Sequence, residues 1–199
     1  MDMDMKRPLR VLPVLVALAV VVGGAPASLA RGPAVSGQVQ EFFGKDAVAV
    51  VAGGTSVEIA RLRKDPKSDA YLVDAIDKPA GDLGRAFRAV LLDRGTYDFP
   101  PAGESDSKLC GTFEPAAVVR FARGSQPPAD VILSINCSEG GMATGPTLPK
   151  KLTAGASYGG WPKFRAHTGP GQTRILTLLV RAFPKDIDLR AFLAAAQGR

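Results

Sequence analysis

The sequence predicts an α+β domain: an antiparallel sheet of about four strands from two hairpins, helices packed on one face, and one disulfide. Three observations lead there. Residues 130–137 alternate, with Val131, Leu133, Ile135 and Cys137 on one face and Ile132, Ser134 and Asn136 on the other. Leu83, Phe87, Val90 and Leu91 recur at the spacing of a single helix face. Residues 173–183 repeat that spacing with Ile175, Leu178, Leu179, Ala182 and Phe183, and Pro184 ends the run.

Taken in order, residues 1–30 read as a signal peptide. Lys6, Arg7 and Arg10 form a charged start, residues 11–22 an apolar run, and Ser28-Leu29-Ala30 a permissible cleavage site. The apolar run is too short to span a bilayer comfortably, so no stable membrane span is expected after the cut. Arg7 and Arg10 are not adjacent, and no cysteine stands at the cut, so neither the twin-arginine route nor a lipid anchor is indicated. The mature chain is expected to be secreted or periplasmic.

Residues 31–55 read as a leader with a short helix around Val39, Phe42 and Phe43, stopped by Gly44. Residues 46–52 fit helix or strand equally well. Residues 56–199 read as a single α+β domain. Within it, residues 56–63 and 70–76 suggest a hairpin about a charged turn containing Pro66. Arg61, Arg63, Lys64 and Lys67 are expected on a solvated loop that keeps an edge strand from pairing.

Asp82 suits the N-terminus of the helix that follows, and Gly95 its stop. Residues 96–108 read as polar loop. Val119 and Phe121 share one side of the next strand, and Glu114-Pro115 suits its start. Residues 123–129, with Pro127-Pro128, are turn chemistry. Residues 138–171 are rich in Gly and Pro without periodicity and read as surface loop. Asp186 caps a last helix in which Leu189, Phe192, Leu193 and Ala196 face inward. The chain has 22 Gly and 16 Pro in 199 residues, well above the usual share of about 12%. Loop is therefore plentiful, yet the apolar runs are too periodic for a disordered chain.

The two cysteines, Cys110 and Cys137, are the only ones in the chain. Export favours one disulfide between them, fastening the ends of the central hairpin; the alternative is two buried free thiols. This stretch resembles a loosely defined group of uncharacterised exported bacterial proteins, which share Cys-x-(x)-Phe-x-Pro followed by Asp-Val-x-x-Cys-Phe-x-Cys. Cys110, Phe113, Pro115, Arg120 and Phe121 match the first half, and Asp130, Val131, Ile132, Leu133 and Cys137 the second. Ser134 replaces the first cysteine of the Cys-x-x-Cys pair and Ile135 replaces Phe. The resemblance implies no activity, and Ser134 removes the basis for a dithiol or metal role.

Chemical motifs are sparse. Gly155-Ala156-Ser157-Tyr158-Gly159 has the letters of a nucleophile elbow, but neither a buried strand before it nor a helix after it. His167, the only histidine, has no clear partner and reads as a solvent-facing loop residue. One histidine and two cysteines cannot supply a zinc site, Glu104 and Asp106 are too sparse for calcium, and no phosphate-loop spacing occurs. No metal or cofactor is expected. Asp186 and Asp188 read as helix-cap carboxylates.

The surface feature that suggests binding is Tyr158, Trp161, Lys163, Phe164, Arg165 and His167 in a Gly-rich loop near Lys150 and Lys151. Aromatic platforms beside cations suit glycans or anionic polymers. The alternative is that Trp161 and Phe164 fold back onto the core. The formal net charge of +6 permits attraction to anionic envelope polymers, whereas nothing in its distribution indicates nucleic acid. The expected role is a non-catalytic envelope or extracellular binding or structural module. The alternatives are an enzyme whose site no motif reveals, or thiol chemistry at Cys137, which requires a free thiol.

Overall fold

A computed structural model describes residues 35–79, 81–100, 113–145, 151–153 and 163–198. The expected signal peptide lies outside them. The described elements are α1 (Gly37–Phe43), α2 (Lys45–Gly53), β1 (Ser56–Lys64), β2 (Ala70–Asp77), α3 (Asp82–Leu92), β3 (Ala117–Ala122), β4 (Ala129–Ser134), β5 (Glu139–Thr144), β6 (Lys151–Thr153), β7 (Phe164–Ala166), α4 (Gly169–Ala182) and α5 (Ile187–Gln197). The strands form one antiparallel sheet in the order β6-β2-β1-β3-β4-β5-β7.

Both expected hairpins are present. Val119 pairs with Val131 in the β3–β4 ladder, and Ile59 with Asp77 in the β1–β2 ladder. The sheet nevertheless has seven strands among the described residues, not four. β5, β6 and β7 fall where the sequence reads as loop. The reason is visible at Gly140 and Gly141. A Cβ on Gly141 would stand 2.6 Å from Phe164 Cδ1, and one on Gly140 would stand 2.7 Å from His167 Nε2. Ring atoms from β7 and its extension occupy the space a side chain would need at these two residues, so the strand has no side chains there to betray its alternation.

The helices pack on one face, as expected. Ile59, Val119, Phe121, Val131 and Leu133 meet Val39, Val51, Phe87, Leu91, Leu176, Leu179 and Leu189 in one large core. Each such apolar side chain contributes about 1.5–3 kcal/mol by leaving water. The opposite face carries a smaller cluster of Ala60, Leu62, Tyr71, Val118, Ile132 and Leu152. β4 is therefore buried on both faces, and Ile132 and Ser134 are not solvent-facing.

The short helix expected around Val39, Phe42 and Phe43 is α1, and Gly44 ends it. A second helix, α2, follows and settles the helix-or-strand ambiguity of residues 46–52. Ser36 caps α1 by accepting from Val39 N, and Val39 and Val51 are fully buried. Residues 96–100 are not simply polar loop either. Tyr97 is fully buried and donates to Leu91 O at 2.9 Å.

Helix boundaries shift slightly. Gly81, with φ 68°, occupies the cap position of α3, and Asp82 is the first helical residue, where its charge still favours the positive end. The helix ends at Asp93, and Gly95 lies in a short 3-10 turn, Arg94–Thr96. α4 starts four residues before the expected position, capped by Thr168 through Gly171 N. Asp186 does cap α5, accepting from Leu189 N at 3.0 Å.

Candidate functional site

The expected binding loop is not assembled as one surface. Tyr158 and Trp161 lie outside the described residues, as does Lys150. Lys163 is exposed. Phe164 is partly buried and stacks on Phe113 with ring centroids 3.5 Å apart. Arg165 and His167 point to the other side of the sheet, because successive residues of a strand alternate. The Arg165 guanidinium rests 4.2 Å from the Phe42 ring centroid and 5.1 Å from that of Phe99. His167 is only 8% exposed, against the solvent-facing placement expected for it. Its Nε2 has no hydrogen-bond partner, and burial pushes its pKa down to about 3. A three-residue strand is too short to announce such an inward turn in the sequence.

The basic cluster near the first hairpin also differs from expectation. Arg61 is buried and pairs with Asp186 at 2.8 Å. Arg63 bonds Asp74 and Asp188, each at 2.7 Å, and its pKa is raised by those hydrogen bonds. These arginines lie in β1, which is paired on both sides, so instead of guarding a strand edge as expected they hold α5 to the sheet. Burial opposes ionisation of Asp186, yet the Leu189 amide and Arg61 hold its carboxyl below the ordinary range. Asp186 is thus both cap and clamp, whereas Asp188, inside the first turn of α5, is a clamp only and not the cap carboxylate expected.

Cys137 is buried in the turn after β4, and no free cysteine occurs among the described residues. Cys110 lies outside them. Among the described residues no group of three or more His, Cys, Asp or Glu side chains is placed to hold a metal ion. No described helix is long and apolar enough to cross a membrane.

The arrangement with most chemical character lies where β1 begins and α3 starts. Lys78, Arg85, Arg88 and Arg120 line a cleft of about 720 Å³, with Glu58 as its one acidic wall residue. Lys78 comes from the loop after β2. Arg85 and Arg88 share a side of α3 through their three-residue spacing. Arg120 comes from β3. Each is held. Lys78 meets Glu58 at 3.1 Å, and Arg85 meets Asp82. Arg88 donates to Val51 O at 2.9 Å and also to Gly54 O. Arg120 makes two bonds to Asp130, at 2.6 and 2.7 Å.

No side chain caps α3, so the positive end of the helix also faces this region uncapped by a side chain. Cations from three separate elements converge on one concavity, and such a shape focuses positive potential on an incoming anion. The sequence hides this because residues 78, 85, 88 and 120 never form a run. The Arg85–Arg88 spacing on the polar side of α3 was the one available signal.

Compared with protein-family models, with curated proteins and with solved structures, the chain has no significant match.

Proposed function

We propose that this chain is an exported, non-catalytic binding module of the cell envelope or extracellular space, and that the cleft beside α3 holds an anionic polymer. The convergence of Lys78, Arg85, Arg88 and Arg120 carries this reading. Arg88 and Arg120 spend their Nε and Nη2 donors on Val51, Gly54 and Asp130, so they contribute fixed positive charge rather than paired N–H donors to an anion. The polymer is recognised by its charge, and the exposed Lys78 and Arg85 make first contact.

Export rests on residues 1–30, with cleavage near Ala30, and membership of the resembling exported group rests on the matched residues around Cys110 and Cys137. The proposed disulfide joins those two cysteines after export, which leaves no thiol for redox chemistry. The test is a titration of the mature protein with inorganic polyphosphate at several salt concentrations. Binding should weaken steeply with salt. The Lys78→Ala/Arg85→Ala double variant should bind about tenfold more weakly at an unchanged melting temperature, as expected for loss of two partly screened charges. Equal binding by that variant sinks the cleft as the site.

A further inference from the structure

We propose that His167 is an acid-sensitive latch, whose protonation releases the outermost strand β7 from β5 while the rest of the sheet stays formed. None of the cleft residues takes part.

The imidazole stands where a side chain is missing. A Cβ on Gly140 would lie 2.7 Å from His167 Nε2 and 3.3 Å from Leu133 Cδ2. The ring therefore fills the place beside Gly140 on the helix-covered side of the sheet, with the Tyr97 ring centroid 5.6 Å away. Its Nε2 is buried and has no hydrogen-bond partner. A neutral ring tolerates this, and burial keeps the ring neutral. A protonated ring carries a hydrogen on both nitrogens, so the enclosed Nε2 would hold a proton with no acceptor for it.

Among the described residues no charge is placed to offset the added one, and burial alone governs the ring. On β7 itself Arg165 lies on the same side, two residues back, and its charge has the same sign. Glu139 on β5 precedes Gly140, and Asp98 follows Tyr97, so both project to the other side of their strands. From β4 the ring meets Leu133, whereas Asp130 is bound to Arg120. The Tyr97 phenol already donates to Leu91 O, and Asp93 is bound to Arg174 at 2.7 Å. Cys137, in the turn before β5, is not a free thiol.

β7 is the element that can yield. It has three residues and three paired positions on β5, two of them at Gly140 and Gly141. On its other side Asp98 N donates to Ala166 O at 2.8 Å, and Thr168 N to Thr96 O at 3.0 Å. Few backbone bonds must open for the ring to reach water, whereas β3 and β4 are rooted in the main core. The same motion withdraws the Arg165 guanidinium from the Phe42 and Phe99 rings. Acid strain is thus discharged locally, before the domain unfolds.

The experiment is residue-resolved amide hydrogen exchange of the mature protein between about pH 7.5 and 5, corrected for the intrinsic rate. That window lies above the ordinary carboxylate range. Below about pH 6.5 the open fraction sensed by the Asp98, His167 and Thr168 amides should rise about tenfold per pH unit, as one-proton linkage requires. Amides of the β3–β4 ladder should keep their protection. The slope should vanish in His167→Gln and in His167→Leu, and either variant suffices if the other does not fold. It should persist in Glu139→Gln/Asp98→Asn. The latch is overturned if the native protein shows no slope at those three amides, or if the β3–β4 amides open in parallel. It is equally overturned if the slope survives loss of the imidazole or disappears with the two carboxylates.

Discussion

Arg120 on β3 and Asp130 on β4 face each other across the ladder and are joined by two hydrogen bonds, while Asp130 is completely buried. A buried carboxylate of this kind is tolerated because its partner is fixed in the neighbouring strand. Asp130→Ala should cost about 3–5 kcal/mol in urea unfolding, because it removes both hydrogen bonds to an Arg120 guanidinium whose side chain is only 12% exposed. An Arg120→Met/Asp130→Leu pair should recover most of that stability. It should also weaken polyphosphate binding, since Arg120 lines the cleft. Full stability in Asp130→Ala would show that the pair is not coupled as described.

His167 makes stability depend on pH. Its folded-state pKa is depressed from 6.5 to about 3. Its contribution is therefore complete above the unfolded-state value and is lost as pH falls from 6.5 towards 3, where the unfolded chain binds the extra proton. The loss over that window should be on the order of a few kcal/mol. In His167→Leu the part of the acid destabilisation lying above about pH 4.5 should disappear. Steps from Asp186 and Asp93, whose pKa values are lowered, should remain at lower pH. Identical pH profiles for the two proteins would refute the assignment.

Gly141→Ala should destabilise the fold by about 1–3 kcal/mol, since its methyl group would collide with the Phe164 ring. The cost should shrink when Phe164→Ala is combined with it, and a thermal double-mutant cycle reads that coupling. Additive losses would mean that the ring does not lie on this glycine.

Asp186 separates capping from charge. Asp186→Asn should retain the bond from Leu189 N while losing the ion pair to Arg61, and Asp186→Ala should lose both. Amide exchange across α5 should accelerate in both and more in the alanine variant, by about 1 kcal/mol of extra opening. Equal exchange in the two variants would remove the cap from the account.

Thiol titration in denaturant should find no free thiol before reduction and two after it, matching the chain's two cysteines. Reduction should cost about 3.5 kcal/mol if the bond closes the loop between Cys110 and Cys137. Two thiols in the untreated protein would end the disulfide proposal.

The hairpins and α3, α4 and α5 were legible because their side chains carry a clear period. β5 was not, since Gly140 and Gly141 have no side chains to carry one. β6 and β7 are three residues each, too short for alternation to emerge. The inward turn of His167 follows from its pairing with Tyr97, which joins distant parts of the chain. The cleft was hidden for a related reason. Lys78, Arg85, Arg88 and Arg120 become neighbours only when α3 is laid against the ends of β1 and β3.

Ser36 begins α1 and Val39 is sealed inside the domain, only a short way beyond the proposed cut at Ala30. A protease that cut past Ser36 would not be tidying a loose end but lifting a lid from the greasy interior. Unravelling can therefore be started at α1, without any cut in the sheet.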